Sequence, residues 1–178
     1  ASIFSGVAFN SHVLIENGYS EAILKSTAAT VSTDSKLKTS IIGVNMGGFC
    51  GTIGGNLSII NSIYAGTFVT DTSKTPKKYV GGMVGNVAGT AVISGCVNFS
   101  KVDNSASKSK YVGGIIARVT LASYIGYTDT NKDAVSTAVT ANFGDIVSGQ
   151  FNNANTQYNA GIVGFTREGG YVNNCLNA

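Results

Sequence analysis

The sequence predicts an all-β fold, a parallel β-solenoid of about four to five coils with loop insertions on one edge. A glycine-rich phrase recurs along the chain, as YVGGMVG at 79–85, YVGGIIA at 111–117 and YNAGIVG at 158–164. The segments after each phrase are short, rich in β-branched and aromatic residues, and separated by Gly, Asn and Ser, which is typical of strands and turns. No segment keeps a 3.6-residue apolar period over three turns, so no helix is predicted.

The copies of the repeat follow one another with a period of about 32 to 47 residues. A faded copy runs from Gly6 to Leu24, and the first clear copy opens at Met46. Later copies open at tyrosines, and the fourth carries an insertion near 124–133. We expect three short strands per copy, stacked so that successive coils bury a continuous apolar face. The copies lie near 1–44, 45–78, 79–110, 111–157 and 158–178 and form one domain.

Three sets of equivalent positions line up down the copies, and each set is expected to form a row along the stack. One set is glycine, one is small and weakly polar, and one is tyrosine. The sets are Gly48, Gly82, Gly114 and Gly161; Ser62, Cys96, Thr140 and Cys175; and Tyr79, Tyr111 and Tyr158. Glycine relieves the φ restriction at sharp corners and lets backbones crowd together. A phosphate loop is disfavoured, because no Lys-Ser or Lys-Thr follows a glycine at the required spacing.

Composition narrows the function classes. Hydrophobic residues make up 43% of the 178 residues and charged residues 12%, a balance that favours a folded chain. The net charge is +3 and the basic cluster is limited to Lys77-Lys78, which disfavours nucleic-acid binding. No apolar run approaches the roughly 18 residues of a membrane span, so membrane insertion is not expected. Low charge with abundant Ser, Thr, Asn and Gly predicts an extracellular or cell-surface location.

The repeats resemble the GLUG family. In two copies, VGGMVG at 80–85 is followed by ISGCVN at 93–98, and AGIVG at 160–164 is followed by VNNCLN at 172–177. Two other copies depart from this pattern, with Tyr64 in place of Asn and Ala117 in place of the last Gly. The resemblance covers about residues 45–178. It implies a right-handed parallel β-helix in a large secreted or surface-attached protein, such as an adhesin, whose repeat residues are structural and not catalytic.

The three cysteines are interpreted as small buried core residues with free thiols. Cys96 and Cys175 belong to coils separated by the coil of Thr140. Because stacked coils lie about 4.8 Å apart, these two cysteines are expected about 10 Å apart, beyond the reach of a disulfide. Cys50 falls in a different position, which it shares with Val84, Ile116 and Val163.

No enzyme chemistry, metal site or cofactor is expected. The single histidine, His12, has no nucleophile or orienting acid beside it and is interpreted as an exposed turn residue. A D-x-N-x-D string resembles the start of a calcium loop, formed by Asp129, Asn131 and Asp133. Ala134 stands where that loop needs glycine, and Thr140 where it needs a bidentate Glu. Sequons at Asn56 and Asn98 are candidate glycosylation sites.

Acidic residues define the alternative function, a carbohydrate-binding or polysaccharide-cleaving β-helix. Polar stretches that hold both Asp and Lys recur about once per copy, at Asp34, Asp71 and Asp129. Such stretches indicate a solvated edge. Cleavage would require several carboxylates to converge in a groove near Lys101 or Arg118. The candidates are Asp103, Asp129, Asp133 and Asp145.

The favoured function is a non-catalytic structural or adhesive segment of a secreted, cell-surface or filament-forming protein. The chain begins and ends inside a repeat without polar caps, which predicts a segment of a longer array. The expected partners are therefore further copies of the chain or neighbouring repeats of the same chain, with glycans as a candidate ligand.

Overall fold

The computed structural model describes residues 11–26, 45–70, 79–104, 110–148 and 158–178. Asp34 and Asp71 lie outside these ranges. Within them the chain is all-β, and no helix is present that could cross a membrane. The strands are β1 (His12–Glu16), β2 (Tyr19–Ser20), β3 (Ile23–Ser26), β4 (Cys50–Ile53), β5 (Asn56–Ile60), β6 (Ile63–Tyr64), β7 (Thr67–Thr70), β8 (Tyr79–Gly81), β9 (Val84–Val87), β10 (Ala91–Ser94), β11 (Val97–Asn98), β12 (Val102–Asn104), β13 (Tyr111–Gly113), β14 (Ile116–Val119), β15 (Ala122–Ile125), β16 (Thr140–Asn142), β17 (Ile146–Ser148), β18 (Tyr158–Ala160), β19 (Val163–Thr166), β20 (Gly169–Val172) and β21 (Cys175–Asn177).

These strands form several parallel sheets. The first five-stranded sheet has the order β1-β5-β10-β15-β20, and the second has the order β2-β6-β11-β16-β21. A four-stranded sheet follows the order β19-β14-β9-β4, a three-stranded sheet the order β18-β13-β8, and two pairs join β12 to β17 and β3 to β7. Each strand therefore pairs with its equivalent in a neighbouring copy of the repeat.

Every copy passes through the sheets in the same order. In 79–104 the chain runs through β8, β9, β10, β11 and β12, and 111–148 repeats this path from β13 to β17. The sequence predicts three strands per copy, whereas these two copies have five. The difference arises because turns at Gly and Asn divide the apolar runs into strands of two to five residues.

A row of isoleucines forms the centre of the core. Ile15, Ile59, Ile93 and Ile125 are in register across the first five-stranded sheet, and all four are buried. Because neighbouring strands lie about 4.8 Å apart, each side chain packs directly on the next. Burying one such side chain contributes about 1.5–3 kcal/mol, so the row favours the observed register over a slipped one.

The corner between the two five-stranded sheets takes a residue with a positive φ in each copy. These residues are Asn17 (φ 52°), Asn61 (49°), Gly95 (61°), Gly126 (80°) and Asn174 (43°). Gly adopts this left-handed conformation without strain, and Asn does so more readily than other residues. From the sequence, the recurring glycine set was expected to relieve the φ restriction at corners. In the structure, the positive φ values occur at these other positions instead.

The recurring glycines are required for space. None of Gly48, Gly82, Gly114 and Gly161 has a φ in the left-handed region. A Cβ on Gly82 would lie 2.0 Å from the carbonyl oxygen of Gly114, and a Cβ on Gly114 would lie 2.0 Å from that of Gly161. The four residues form the glycine row, along which successive backbones approach too closely for any side chain.

The insertion in the fourth copy begins later than the sequence predicts. Tyr124 belongs to β15, where it is in register with Val92 and Tyr171. The chain leaves the sheet at Gly126, forms an antiparallel bridge between Tyr127 and Val135, and re-enters at β16. Its start at the positive-φ corner explains how a long excursion leaves the sheet register unchanged.

Replacing Gly114 by alanine tests the glycine row. Gly114→Ala is expected to lower the free energy of unfolding by about 3 kcal/mol, because backbone atoms must move to admit the new methyl group. Gly169→Ala is the matched control, since its Cβ would meet no atom closer than 3.6 Å and should change stability by at most about 1 kcal/mol. Urea unfolding curves measure both, and equal losses would contradict the steric role of the row.

Candidate functional site

A row of asparagines lies on the inner face of the second five-stranded sheet. Asn98, Asn142 and Asn177 are in register on β11, β16 and β21. Nδ2 of Asn98 donates a hydrogen bond of 2.7 Å to Oδ1 of Asn142, and Nδ2 of Asn142 donates one of 2.9 Å to Oδ1 of Asn177. Asn98 and Asn142 are 0% and 1% exposed. An amide carries both donor and acceptor, so one residue type can bond to itself along the whole stack.

The same amides also hold the backbone that follows each strand. Oδ1 of Asn98 accepts hydrogen bonds from the N–H and the hydroxyl of Ser100, and its Nδ2 donates to the Ser100 carbonyl oxygen at 3.1 Å. Nδ2 of Asn142 donates to the carbonyl oxygen of Gly144 at 2.9 Å. The buried amides are thereby satisfied, as an interior of low polarity requires.

The glycine row faces the asparagine row. A Cβ on Gly82 would lie 2.4 Å from Nδ2 of Asn98, and a Cβ on Gly114 would lie 2.5 Å from Cγ of Asn142. Each asparagine side chain therefore fills the space in which a side chain on the facing glycine would lie. The two rows depend on each other.

Tyr64 takes the place of asparagine in the copy at 45–78. It is in register with Asn98 and fully buried, and its hydroxyl donates to the carbonyl oxygen of Ala22 at 3.0 Å. Its ring packs edge-on against Phe49 and Phe68. Burial raises the pKa of Tyr64 to about 12. The departure from the GLUG pattern thus fills the same interior position with an aromatic ring.

The small polar set closes the positive-φ corner. The hydroxyl of Ser62 and the thiols of Cys96 and Cys175 each donate to a backbone carbonyl oxygen two residues earlier. Thr140 is in register with Cys175 and lies in the coil between the two cysteines. Ser62, Cys96 and Cys175 are thus short donors that fit beside the corner, whereas the buried hydroxyl of Thr140 has no hydrogen-bond partner among the described residues.

All three cysteines are free thiols. Cys50 and Cys96 are buried and Cys175 is partly buried, and Cys50 is in register with Val84. Burial raises the pKa of Cys50 and Cys96 to about 12 and that of Cys175 to about 11. Because the thiolate is the reactive form, these cysteines carry very little nucleophile near neutral pH.

The tyrosine row lies across the three-stranded sheet. The rings of Tyr111 and Tyr158 stack with centroids 5.1 Å apart and planes 7° apart, and those of Tyr79 and Tyr111 are 5.3 Å apart. The rings of Tyr111 and Tyr158 therefore cover one another's faces, whereas Tyr79 is tilted by 37° against Tyr111. A sugar that stacks on an aromatic face would therefore find the faces within the row occupied by neighbouring rings.

A second row runs beside the tyrosines on the four-stranded sheet. Asn86, Arg118 and Phe165 are in register there. The guanidinium of Arg118 lies 5.3 Å from the ring centroid of Tyr79 and 6.0 Å from that of Tyr111, and its Nη1 donates to Oδ1 of Asn86 at 3.2 Å. Lys110 Nζ lies 5.4 Å from the Tyr111 centroid. Two cationic side chains thus converge on the ring of Tyr111.

The candidate carboxylates for polysaccharide cleavage lie in two parts of the fold. Asp103 on β12 forms an ion pair of 3.6 Å with Lys101, and Asp145 immediately precedes β17, the partner of β12. Asp129 and Asp133 lie in the excursion between β15 and β16. Among the described residues, no three His, Cys, Asp or Glu side chains come together in a way that could hold a metal ion.

The calcium-loop string forms local turns. Oδ1 of Asp129 accepts a hydrogen bond from the N–H of Asn131, and Oδ1 of Asn131 accepts one from the N–H of Asp133. Lys132, within the same string, places its ammonium group 4.6 Å from the ring centroid of Tyr171. The side-chain oxygens of Asp129 and Asn131 are thus directed at the backbone of their own turn.

His12 and the two sequons occupy distinct environments. His12 is exposed but begins β1 rather than lying in a turn, and its Nε2 lies 2.7 Å from the hydroxyl oxygen of Ser58. Asn56 is exposed on β5, where its Oδ1 accepts from the N–H of Thr90, and it stays a candidate glycosylation site. Asn98 is fully buried within the asparagine row, so the folded chain has no room for a glycan there.

Two features were not predicted from the sequence: the hydrogen-bonded asparagine row, whose asparagine was noted only as a position of the repeat pattern, and the row that contains Arg118. The asparagine row was visible as Asn two residues after the small polar set, in Cys96-Val97-Asn98, Thr140-Ala141-Asn142 and Cys175-Leu176-Asn177. The row that contains Arg118 could have been found by counting seven residues from each tyrosine, although its residue types vary too much to show a motif.

Comparison of the chain with protein-family models, with curated proteins and with solved structures found no match.

Truncating the asparagine row tests its contribution to stability. Asn142→Ala removes an acceptor from Asn98 and donors from Asn177 and Gly144, so the free energy of unfolding should fall by about 3 kcal/mol. Asn159→Ala, at an exposed position of β18, is the control and should change it by less than about 0.5 kcal/mol. Chemical denaturation compares the two, and a similar small effect for both would show that the row is not a stabilising network.

Alkaline pH should destabilise the fold through its buried thiols. The pKa of Cys96 in the folded chain is about 12, against an ordinary value of 9.0, so between these values the unfolded chain releases a proton that the folded chain keeps. The stabilisation present below pH 9 is therefore lost as pH rises, by up to about 1.4 kcal/mol per pH unit for each such thiol. Cys96→Ser, which copies Ser62, should flatten the decline in unfolding free energy measured from pH 8 to 10.5. An unchanged slope would contradict this assignment.

Proposed function

We propose that the chain is a non-catalytic structural or adhesive segment of a secreted, cell-surface or filament-forming protein, built as a right-handed parallel β-solenoid of about four to five coils with GLUG-like repeats. Its function is to hold a stiff, low-charge surface in a fixed repeat. We place it outside the cell or on the cell surface.

Support comes above all from the asparagine row. The polar side chains that recur from copy to copy bond to one another across copies and to the backbone that follows them in their own copy. The recurring glycines provide the space for those amides. Recurring polar residues whose groups are bonded within the fold are typical of a scaffold. A catalytic site, by contrast, needs polar groups that can contact a substrate.

The tyrosine row gives further support. Tyr111 and Tyr158 stack at 5.1 Å and Tyr79 lies tilted against Tyr111 at 5.3 Å, and these contacts stabilise the register of the three-stranded sheet. The alternative of polysaccharide cleavage has less support, because Asp103 and Asp145 lie beside the β12–β17 pair whereas Asp129 and Asp133 lie in the excursion. Carbohydrate binding without cleavage is compatible with a scaffold.

Self-association is the mode of assembly that we propose. The strands β18, β19, β20 and β21 each end the order of their sheet, so each has one unpaired edge among the described residues. Val172 continues the isoleucine row at this edge and is 53% exposed. Unpaired parallel strands beside an exposed apolar row would accept a further coil from a second copy.

Electron microscopy and sedimentation velocity over a dilution series test this function. We expect elongated particles that lengthen with concentration. Val172→Lys, which puts a charge on the edge, should prevent the lengthening. Phe99→Lys, at an equally exposed apolar position that follows β11, two strands inward from β21, should not. A compact monomer at every concentration, or depolymerisation of a polysaccharide by the chain, would contradict the proposed function.

A further inference from the structure

Tyr111 lies between two cationic side chains. Lys110 Nζ lies 5.4 Å and Arg118 Cζ lies 6.0 Å from the centroid of its ring. The distance between the two cationic groups therefore cannot exceed the sum of these two distances. The chain carries only 12 Lys and Arg residues, and low charge is one of its main features. An anion placed beside this ring would be attracted by both charges.

No carboxylate neutralises these cations among the described residues. The ion pair found there joins Lys101 to Asp103 at the β12–β17 pair. The polar partner of Arg118 is the neutral amide of Asn86. A guanidinium has five N–H donors, so the single bond to Asn86 leaves most of its capacity for a ligand.

The guanidinium is also held in place before any ligand arrives. The ring of Tyr79 lies 5.3 Å from it, the Asn86 amide accepts its Nη1–H, and Arg118 is half-buried on β14. A long side chain that is already ordered loses little conformational entropy when it binds. Carboxylates suit it, because the planar fork of Arg can donate two parallel hydrogen bonds to one carboxylate.

The shape of this face favours an extended ligand. The tyrosine row and the row of Asn86, Arg118 and Phe165 run side by side along the stack. Tyr79 and Asn86 are buried, so the accessible part of this face consists of Lys110, Arg118 and the partly exposed tyrosines Tyr111 and Tyr158. A small molecule needs an enclosed pocket, whereas a polymer can lie along a flat row and use repeated hydrogen bonds. Two cations are too few for nucleic acid, whose binding depends on neutralising many phosphates.

We propose that this face binds an acidic polysaccharide, with uronate carboxylates at Arg118 and Lys110 and sugar hydroxyl groups beside the partly exposed Tyr111 and Tyr158. The inference rests on the adhesive part of the proposed function and names its ligand class. Ring stacking plays no part in it, because the tyrosine faces within the row are covered by one another.

Polygalacturonate binding to the immobilised chain at low salt tests the proposal. Arg118→Gln and Lys110→Gln should each weaken binding about tenfold or more, since each removes a charge-assisted contact. Lys110 is exposed, so its replacement leaves the fold intact. Arg167→Gln removes the same charge from an exposed arginine without a ring contact and should bind as the unmodified chain does.

Three results would overturn the inference. They are equal binding of fully methyl-esterified polygalacturonate, equal binding of polyglutamate, and unchanged binding by both Arg118→Gln and Lys110→Gln. The first result would show that the uronate carboxylate is not recognised. The second would show that the sugar is not recognised, and the third that Arg118 and Lys110 do not form the binding site. Particle length measured on the same variants separates this outcome from failure of the scaffold function, because neither residue lies on the β18–β21 edge.

Discussion

The rest of this structure depends on the register of its parallel strands. Each strand pairs with its equivalent in the next copy, so every residue stands about 4.8 Å from a residue of the same position. A residue type can recur along a row only if it packs against its own kind, whereas other positions pair unlike residues, such as Tyr64 with Asn98. Isoleucine, asparagine and tyrosine all meet this condition, by dispersion contact, by amide hydrogen bonds and by ring stacking respectively.

The asparagine and glycine rows show how strictly this constraint acts. A buried amide costs free energy unless its donors and acceptor are bonded, and here they bond to the next amide and to the local backbone. A slip of one residue would break each of these bonds and turn the amides toward the other face. Polar residues in the interior therefore specify the register, while the isoleucine row supplies apolar burial that a slipped sheet would lose.

A partner can be bound only by side chains that are not already engaged in contacts within the rows. The thiols are buried and their pKa values are raised, the asparagines are bonded inside, and the tyrosine rings cover one another. What is available lies at positions that vary between copies, such as Arg118 and Phe165, which are partly exposed, whereas Asn86 in the same row is buried. A repeat of this kind keeps its interior constant for assembly, and individual copies differ in what they present to a partner.

The sequence by itself determined that the chain is all-β and made of repeated parallel strands. These properties follow from local signals: periodic glycines, β-branched residues and the lack of a helical period. The signals are clear because each copy repeats them. Only the tertiary structure decided why each glycine is needed, since the sequence does not distinguish one glycine from another. Gly95 has a φ of 61°, whereas Gly82 has no positive φ and leaves no space for a Cβ beside the carbonyl oxygen of Gly114. The tertiary structure alone brought Lys110 and Arg118 to the ring of Tyr111, since that meeting depends on a turn between β13 and β14 and on side chains that form no motif. Local patterns reveal what repeats, whereas contacts between variable positions arise only when the sheets are assembled.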